Sequence, residues 1–199
     1  MSTAILGAGR LGVAIARAFT RAHIKVLLAN RSGADAVATI ASQRRLDVLP
    51  ASLEGAIHAD VLFLALPFLR STEVGRLRPD WAGTTVVDCT NAFLLPNRDE
   101  VLAGRLSSDI VADHFPGAEL VKAFNQLPAA VLEADTPPEQ GRRVIFVASN
   151  FAGASARVAG IARDLGFAPI EVGRIDQAGV LVQAQNALVL RTLFEVARA

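Results

Sequence analysis

A single cysteine and three scattered histidines in this 199-residue chain exclude an intrachain disulfide and give no reason to expect a metal centre. One thiol, Cys89, cannot form an intrachain bridge or a Cys-x-x-Cys site, and His23, His58 and His114 lack ligand spacing. Long apolar runs are missing too. The longest, Val61 to Leu66 and on past Pro67 to Leu69, is far shorter than the ~20 residues needed to cross a bilayer. No basic leader precedes the first apolar stretch, so no cleaved signal is expected and a reducing, cytoplasmic location is the default expectation. Charge is sparse at 20% of residues, with a formal net charge of +1, which gives no reason to expect nucleic acid or an anionic membrane as partner. Against these scarcities stands an apolar content of 52%, enough to exclude disorder and to fill the core of one domain spanning residues 1–199.

What is present begins at once. Ala4 to Leu6 is a short apolar strand that runs into Gly7-Ala8-Gly9-Arg10-Leu11-Gly12, and the segment Leu11 to Ala22 then has helical spacing. A second strand, Lys25 to Ala29, completes the context that a GxGxxG motif needs in order to bind a dinucleotide. Gly7 allows the tight turn, Gly9 presents no Cβ to an approaching pyrophosphate, and Gly12 lets helix and strand pack closely. The phosphates are then expected at the helix N-terminus, where unpaired N–H groups and the macrodipole attract anions. An NAD site usually has a carboxylate about 20 residues past the glycines. Here the second strand ends in Asn30-Arg31-Ser32, a guanidinium with two small hydrogen-bonding groups, which accepts a 2′-phosphate and points to NADP(H). Asp35 is the nearest acid but lies past Gly33 in the next helix.

The rest of the chain keeps alternating. Helices are expected at Ala34 to Arg44, from a cap at Ser52 to about His58, at Ser71 to Leu77, and at Ser107 to Phe115, with a helical turn at Pro128 to Glu133. Strands are expected at Val61 to Leu66, Thr84 to Asp88 and Glu119 to Phe124. After the break at Asp135-Thr136-Pro137-Pro138 comes a final βαβ pattern, Arg143 to Ala148, Ala152 to Leu165 and Pro169 to Gly173. A long amphipathic helix, Gln177 to Ala197, is expected to close the chain. The pattern predicts a Rossmann-like α/β fold with a doubly wound, mostly parallel, NAD(P)-binding sheet. Ligands in such sheets lie at the carboxyl ends of the strands, so the remaining site candidates are Leu66-Pro67-Phe68, Cys89-Thr90-Asn91 and Phe124-Asn125-Gln126. Cys89 reads as a small buried side chain, and His114 is the histidine expected nearest the site, a candidate acceptor contact.

The stretch Val121-Lys122-Ala123-Phe124-Asn125-Gln126-Leu127-Pro128-Ala129, with Ala65-Leu66-Pro67 and Val87-Asp88-Cys89-Thr90-Asn91, resembles the coenzyme F420-dependent NADP oxidoreductase family. That family also includes the dinucleotide-binding domain of membrane metalloreductases. Val144 to Ala148 and Asp164 to Pro169 are similar as well, so the likeness runs along nearly the whole chain. The resemblance implies a small NADPH-dependent reductase that passes hydride between nicotinamide and a deazaflavin (F420) or a flavin such as FMN or FAD. It implies that the glycine loop holds the pyrophosphate, Asn30 to Ser32 the 2′-phosphate, and that Leu66 and Pro67 line the dinucleotide path. Asn91 and Asn125 would lie near the nicotinamide, with Gln126, Leu127 and Pro128 bordering the acceptor. The chain departs from the family at Cys89 and at Gly173-Arg174-Ile175, the latter close to the expected acceptor side.

Hydride transfer is carried by the cofactors themselves, so no catalytic side chain is required by this reading. Ketopantoate-type and pyrroline carboxylate-type dehydrogenases share the glycine loop but need a helical second domain, for which the 26 residues after Gly173 are too few. A non-catalytic NADP(H)-binding sensor or docking module is the alternative. The apolar residues of the closing helix, among them Val180, Leu181, Leu188 and Leu193, lead to the expectation of a homodimer.

Overall fold

The computed structural model describes residues 1–92, 95–183 and 186–196. Its strands are β1 (Thr3–Leu6), β2 (Leu27–Ala29), β3 (Leu49–Ala51), β4 (Val61–Leu64), β5 (Thr85–Asp88), β6 (Glu119–Ala123), β7 (Arg142–Ser149), β8 (Ala168–Gly173) and β9 (Phe194–Glu195). Its helices are α1 (Arg10–Arg21), α2 (Ala34–Arg44), α3 (Leu53–Ala56), α4 (Ser71–Gly75), α5 (Arg98–Leu102), α6 (Ser107–His114), α7 (Ala129–Glu133) and α8 (Ala152–Asp164). The strands form one sheet in the order 3-2-1-4-5-6-7-8, with β9 attached to β7. The first six strands are mutually parallel, β7 turns antiparallel to β6, and β8 returns parallel to β7. This is the expected Rossmann-like, mostly parallel sheet, and its strand order reverses between β1 and β4, the place where such sheets bind their ligands.

Alternation along the strands divides the core between two faces. Ile5, Phe63, Val87 and Val121 pack with residues of α1, α2, α7 and α8, whereas Leu6, Leu62, Leu64 and Val86 pack with Trp81, Val111 and Phe115 on the other face. All four residues of β4 are fully buried, as a strand covered on both sides requires. On the first face Phe63 meets Phe19 and Phe124 edge-on at 5.9 and 5.4 Å, and Phe124 meets Phe167 at 5.8 Å. These contacts fix the end of β6, where the chain leaves the sheet.

One strand adds to the sequence pattern and one expectation changes. β3 contains Pro50 and pairs with β2 at the edge of the sheet, where a strand tolerates a missing donor. The closing helix from Gln177 to Ala197 is overturned: the described residues form a 3₁₀ turn at Ala178–Val182, a turn over 187–190 and β9, while positions 184, 185 and 197 lie outside the described residues. Helical spacing of apolar residues was misleading because the backbone finds partners on the sheet instead. The Leu190 N–H donates to the Gln126 carbonyl at 2.7 Å, the Val144 N–H donates to the Leu193 carbonyl at 2.9 Å, and Leu190 itself has a φ of +61°, which no α-helix accommodates. The C-terminal segment is thereby strapped across the carboxyl end of β6.

Candidate functional site

The glycine loop is built by backbone crowding. Gly7 has a φ of +113°, and a Cβ there would lie 2.2 Å from the Ala65 carbonyl oxygen. A Cβ on Gly12 would lie 1.7 Å from the Gly7 carbonyl oxygen, so this glycine is what lets α1 close on β1. Gly9 differs: a Cβ there would have nothing within 4 Å. The empty space above Gly9 faces the start of α1, which has neither a side-chain cap nor an acidic residue in its first turn. Uncapped N–H groups beneath an open cradle fit a pyrophosphate.

Beside the loop, Gly7, Gly9, Asn30, Arg31, Leu66 and Pro67 converge on a pocket of about 310 Å³ at the carboxyl ends of β1, β2 and β4. The turn that presents Arg31 is held by its own asparagine: the Ser32 N–H donates to Asn30 Oδ1 at 2.9 Å and the Gly33 N–H to the Asn30 carbonyl at 3.3 Å. Arg31 is exposed, and no ion pair engages it among the described residues. Asp35 stands in the first turn of α2 and does not line the pocket. Sequence reading missed Arg70 and Glu73, which do line it. The signal was their i, i+3 spacing just beyond Pro67. Phe68, expected here, is instead 4% exposed in the core, because the 3₁₀ turn after Pro67 rotates it inward. Ala8 and Arg10 line a separate groove between α1, α2 and α7, and Leu11 packs half-buried against the core.

The other end of the site is a pair of amides. Asn91 Nδ2 donates to the Asn125 carbonyl at 2.8 Å, and Asn125 Nδ2 donates to Asn91 Oδ1 at 3.1 Å and to the Val182 carbonyl at 2.7 Å. Both Nδ2 protons of Asn125 are thus committed to oxygens, which fixes the amide orientation and leaves its Oδ1 buried with no partner among the described residues. Phe124, just before it, holds a left-handed φ of +60° while 1% exposed, an arrangement that costs a non-glycine residue on the order of 1 kcal/mol and turns Asn125 out of the strand line.

Beneath the amides lies a fully buried ion pair. Lys122 Nζ donates to Asp88 Oδ2 at 2.9 Å and to the Thr90 carbonyl at 2.6 Å. Asp88 also accepts from the Thr90 N–H, the Thr90 hydroxyl and the Ser108 hydroxyl at 2.9, 2.7 and 3.1 Å. Gln183 joins this network from the C-terminal segment, donating to Ser108 Oγ at 3.2 Å and accepting from the Ser107 hydroxyl at 2.5 Å. The Thr90-Asn91 turn is therefore set by charge and by the strap together.

The acceptor-side expectations fare unevenly in space. Gln126 and Leu127 are 1% and 5% exposed, sealed under the strap, with Gln126 Nε2 donating to the Val144 carbonyl at 3.1 Å; Pro128 is exposed at the start of α7. His114 lies apart from them, between α6 and α4. Ser71 Oγ donates to the Phe68 carbonyl at 2.7 Å, so it accepts from His114 Nδ1–H at 3.0 Å, and Nε2 accepts from the Thr72 hydroxyl at 3.0 Å. Burial first, and then the Arg76 charge, lower the His114 pKa against the opposing pull of Asp113. Cys89 is buried, and burial followed by the Asp88 charge pushes its thiol well above the ordinary range, which suits an inert side chain. An open cleft of about 470 Å³ does adjoin the amides. It runs between Ala92, Leu102, Arg105, Ser107 and Gln183, one residue beyond Asn91 on one strand of chain and one beyond Val182 on the other.

Among the described residues no group of three or more His, Cys, Asp or Glu could hold a metal, and no helix is long and apolar enough to cross a membrane. Residues 2–92 match the family model described as NADP oxidoreductase, coenzyme F420-dependent. A hypothetical protein, SMa0349, from Sinorhizobium meliloti has a solved structure that superposes with a TM-score of 0.92 at 38% identity, covering 98% of this chain and 96% of that one. A candidate F420-dependent NADP reductase from Arthrobacter sp. FB24 superposes with a TM-score of 0.67 at 23% identity, covering both chains completely, and shares the fold. Metalloreductase STEAP3 of Rattus norvegicus is 30% identical over 126 residues, 63% of this chain; the chain spans about a quarter of the length of that curated relative. The glycine loop thus lies inside a segment, just under half of the chain, that matches the coenzyme F420-dependent NADP oxidoreductase family, and the fold is shared end to end with the Sinorhizobium and Arthrobacter proteins.

Proposed function

We propose that the chain transfers hydride between NADP(H) and a flavin or deazaflavin acceptor, with F420, FMN and FAD as the candidates. The observation that carries this reading is the open cradle above Gly9, over the uncapped start of α1 and sharing a pocket with the exposed Arg31 at the end of β2. The residues fit the dinucleotide along its length: the Gly9 cradle for the pyrophosphate, Asn30 to Ser32 for the 2′-phosphate, Leu66 and Pro67 along the path, and Asn91 with Asn125 for the nicotinamide end. When bound, the nicotinamide supplies the hydride. The protein's part is to position and to exclude water: the Lys122–Asp88 pair fixes the Thr90-Asn91 turn, the strap covers Gln126, and no side chain moves a proton. The cleft beyond Asn91 is where we place the acceptor, in preference to Gln126, Leu127 or Pro128, and His114 takes no part in binding it. Association into a homodimer through exposed Val180, Leu181 and Leu193 belongs to the same proposal, and sedimentation as a monomer at micromolar concentration overturns that part.

The test is NADPH oxidation by purified protein with F420, FMN, FAD and riboflavin in turn. Turnover with one of them supports the reductase, and Leu102→Trp, which fills the cleft, should then abolish turnover while leaving NADPH affinity unchanged. Tight NADPH binding with no turnover of any of the four rejects the reductase in favour of a sensor or docking module.

A further inference from the structure

The geometry points to Arg70 as a second cation for the 2′-phosphate, held in place and partly opposed by Glu73; the inference rests on the NADP(H) reading above. Arg70 ends the 3₁₀ turn that follows Pro67, beyond β4, and it lines the same 310 Å³ pocket as Arg31, which follows β2. Leu53, Leu66 and Val74 line the same pocket and supply apolar walls suited to a purine ring. The pocket thus combines apolar walls with a guanidinium on each of two separate elements, the β2 turn and the start of α4.

How Arg70 is held matters. Its Nη1 donates to both oxygens of Glu73, at 2.5 and 2.7 Å. One nitrogen serves the whole carboxylate, so the parallel N–H bonds of the Nε/Nη2 edge are not spent on Glu73. That edge is the one whose spacing matches two phosphate oxygens. Glu73 therefore orients the guanidinium without using the edge that a phosphate needs. Its own charge, however, lies in the pocket next to the place where a phosphate dianion would sit, and Arg70 is what neutralises it. The two residues act as a matched pair: Arg70 attracts the 2′-phosphate, Glu73 weakens that attraction, and only a ligand that carries the extra phosphate feels the difference.

Equilibrium binding of NADPH and NADH to the purified protein, read by quenching of intrinsic fluorescence, tests this. Failure of the wild-type protein to bind NADPH would sink the NADP(H) reading itself. Given binding, Arg70→Ala leaves Glu73 uncompensated and should raise the Kd for NADPH about tenfold or more while changing that for NADH less than about twofold. Glu73→Gln should lower the Kd for NADPH roughly threefold and leave NADH unchanged. In the double variant the NADPH loss should shrink to about twofold or less, below the roughly threefold that two independent effects would give, because the two single effects are coupled. Equal losses for both nucleotides in Arg70→Ala would show a guanidinium stacked on adenine rather than bound to phosphate, and no loss would show an ordinary surface pair. Either result, or weaker NADPH binding in Glu73→Gln, overturns the inference.

Discussion

Replacing Lys122 by Met removes the one cation of a buried cluster, and the bonds that cation makes set the cost. Asp88 and Lys122 are both fully buried, and without the ammonium the carboxylate keeps only the Thr90 N–H and the hydroxyls of Thr90 and Ser108. The Thr90 carbonyl, which accepts from Lys122 Nζ at 2.6 Å, loses its donor as well. Removing one member of a buried pair typically costs about 3–5 kcal/mol, because a charge remains without its partner. For a chain of this size that corresponds to a fall in Tm of roughly 6–20 °C, at about 2–4 °C per kcal/mol. Urea unfolding with an unchanged slope would give the free energy directly. The control is Asp88→Asn combined with Lys122→Met, which leaves a neutral amide among the same three donors and should recover more than half of the loss. A single-variant cost below about 1 kcal/mol, or a double variant no more stable than the single, would refute the claim that this pair holds the Thr90-Asn91 turn.

The two inner glycines should separate stability from binding. Gly12→Ala meets the Gly7 carbonyl at 1.7 Å and should lose about 3 kcal/mol on urea unfolding, whereas Gly9→Ala meets nothing within 4 Å and should unfold almost as the wild type does while its Kd for NADPH rises at least about tenfold; normal NADPH binding by Gly9→Ala would remove the pyrophosphate from the cradle. Arg31→Ala should cost about 1.5–3 kcal/mol of NADPH affinity with little change for NADH, measured by titration, and equal losses would reject its assignment to the phosphate. His114 gives a pH signature. Its folded pKa is lowered, so the unfolded chain binds more protons, and the stability present above the unfolded value of 6.5 falls away as pH drops below it. His114→Gln should flatten that part of the stability profile, and superimposable wild-type and variant profiles there would show that His114 does not titrate as described.

The glycine loop was legible in the sequence because its requirements are written in single residues of unusual conformational freedom. A close approach of 1.7 or 2.2 Å admits only glycine, and a strand end without a carboxylate excludes little else at the ribose. Arg70 and Glu73 escaped notice because an Arg-x-x-Glu on a short helix is common at any surface, and only the fold shows that this one faces the pocket. The strap was misread for a different reason. Val180, Leu181, Leu188 and Leu193 satisfy helical periodicity, but periodicity reports which residues are apolar and not which backbone groups will find partners, and here those partners are Gln126 and Val144, dozens of residues upstream. Likewise nothing local marked Lys122 and Asp88 as a buried pair: the parallel register of β5 with β6, which sets Asp88 opposite Lys122, had to exist first.

The two halves of the site therefore hold their shape by different means, with a consequence for what each can tolerate. At the glycine loop the constraint is backbone against backbone, so a substitution either fits or displaces β1 and β4 together. At the amide end the shape comes from side chains contributed by β5, β6, α6 and the C-terminal strap, joined through Gln183 and the Val182 carbonyl. The cleft beyond Asn91 is lined by α5, the turn before α6 and the part of that strap before β9, none of which supplies a strand to the sheet. Its lining can change without disturbing the strand order or the glycine loop. On the proposed function, the backbone fixes the seat of the dinucleotide while loops and a strap form that of the acceptor, so the acceptor side is the one free to vary.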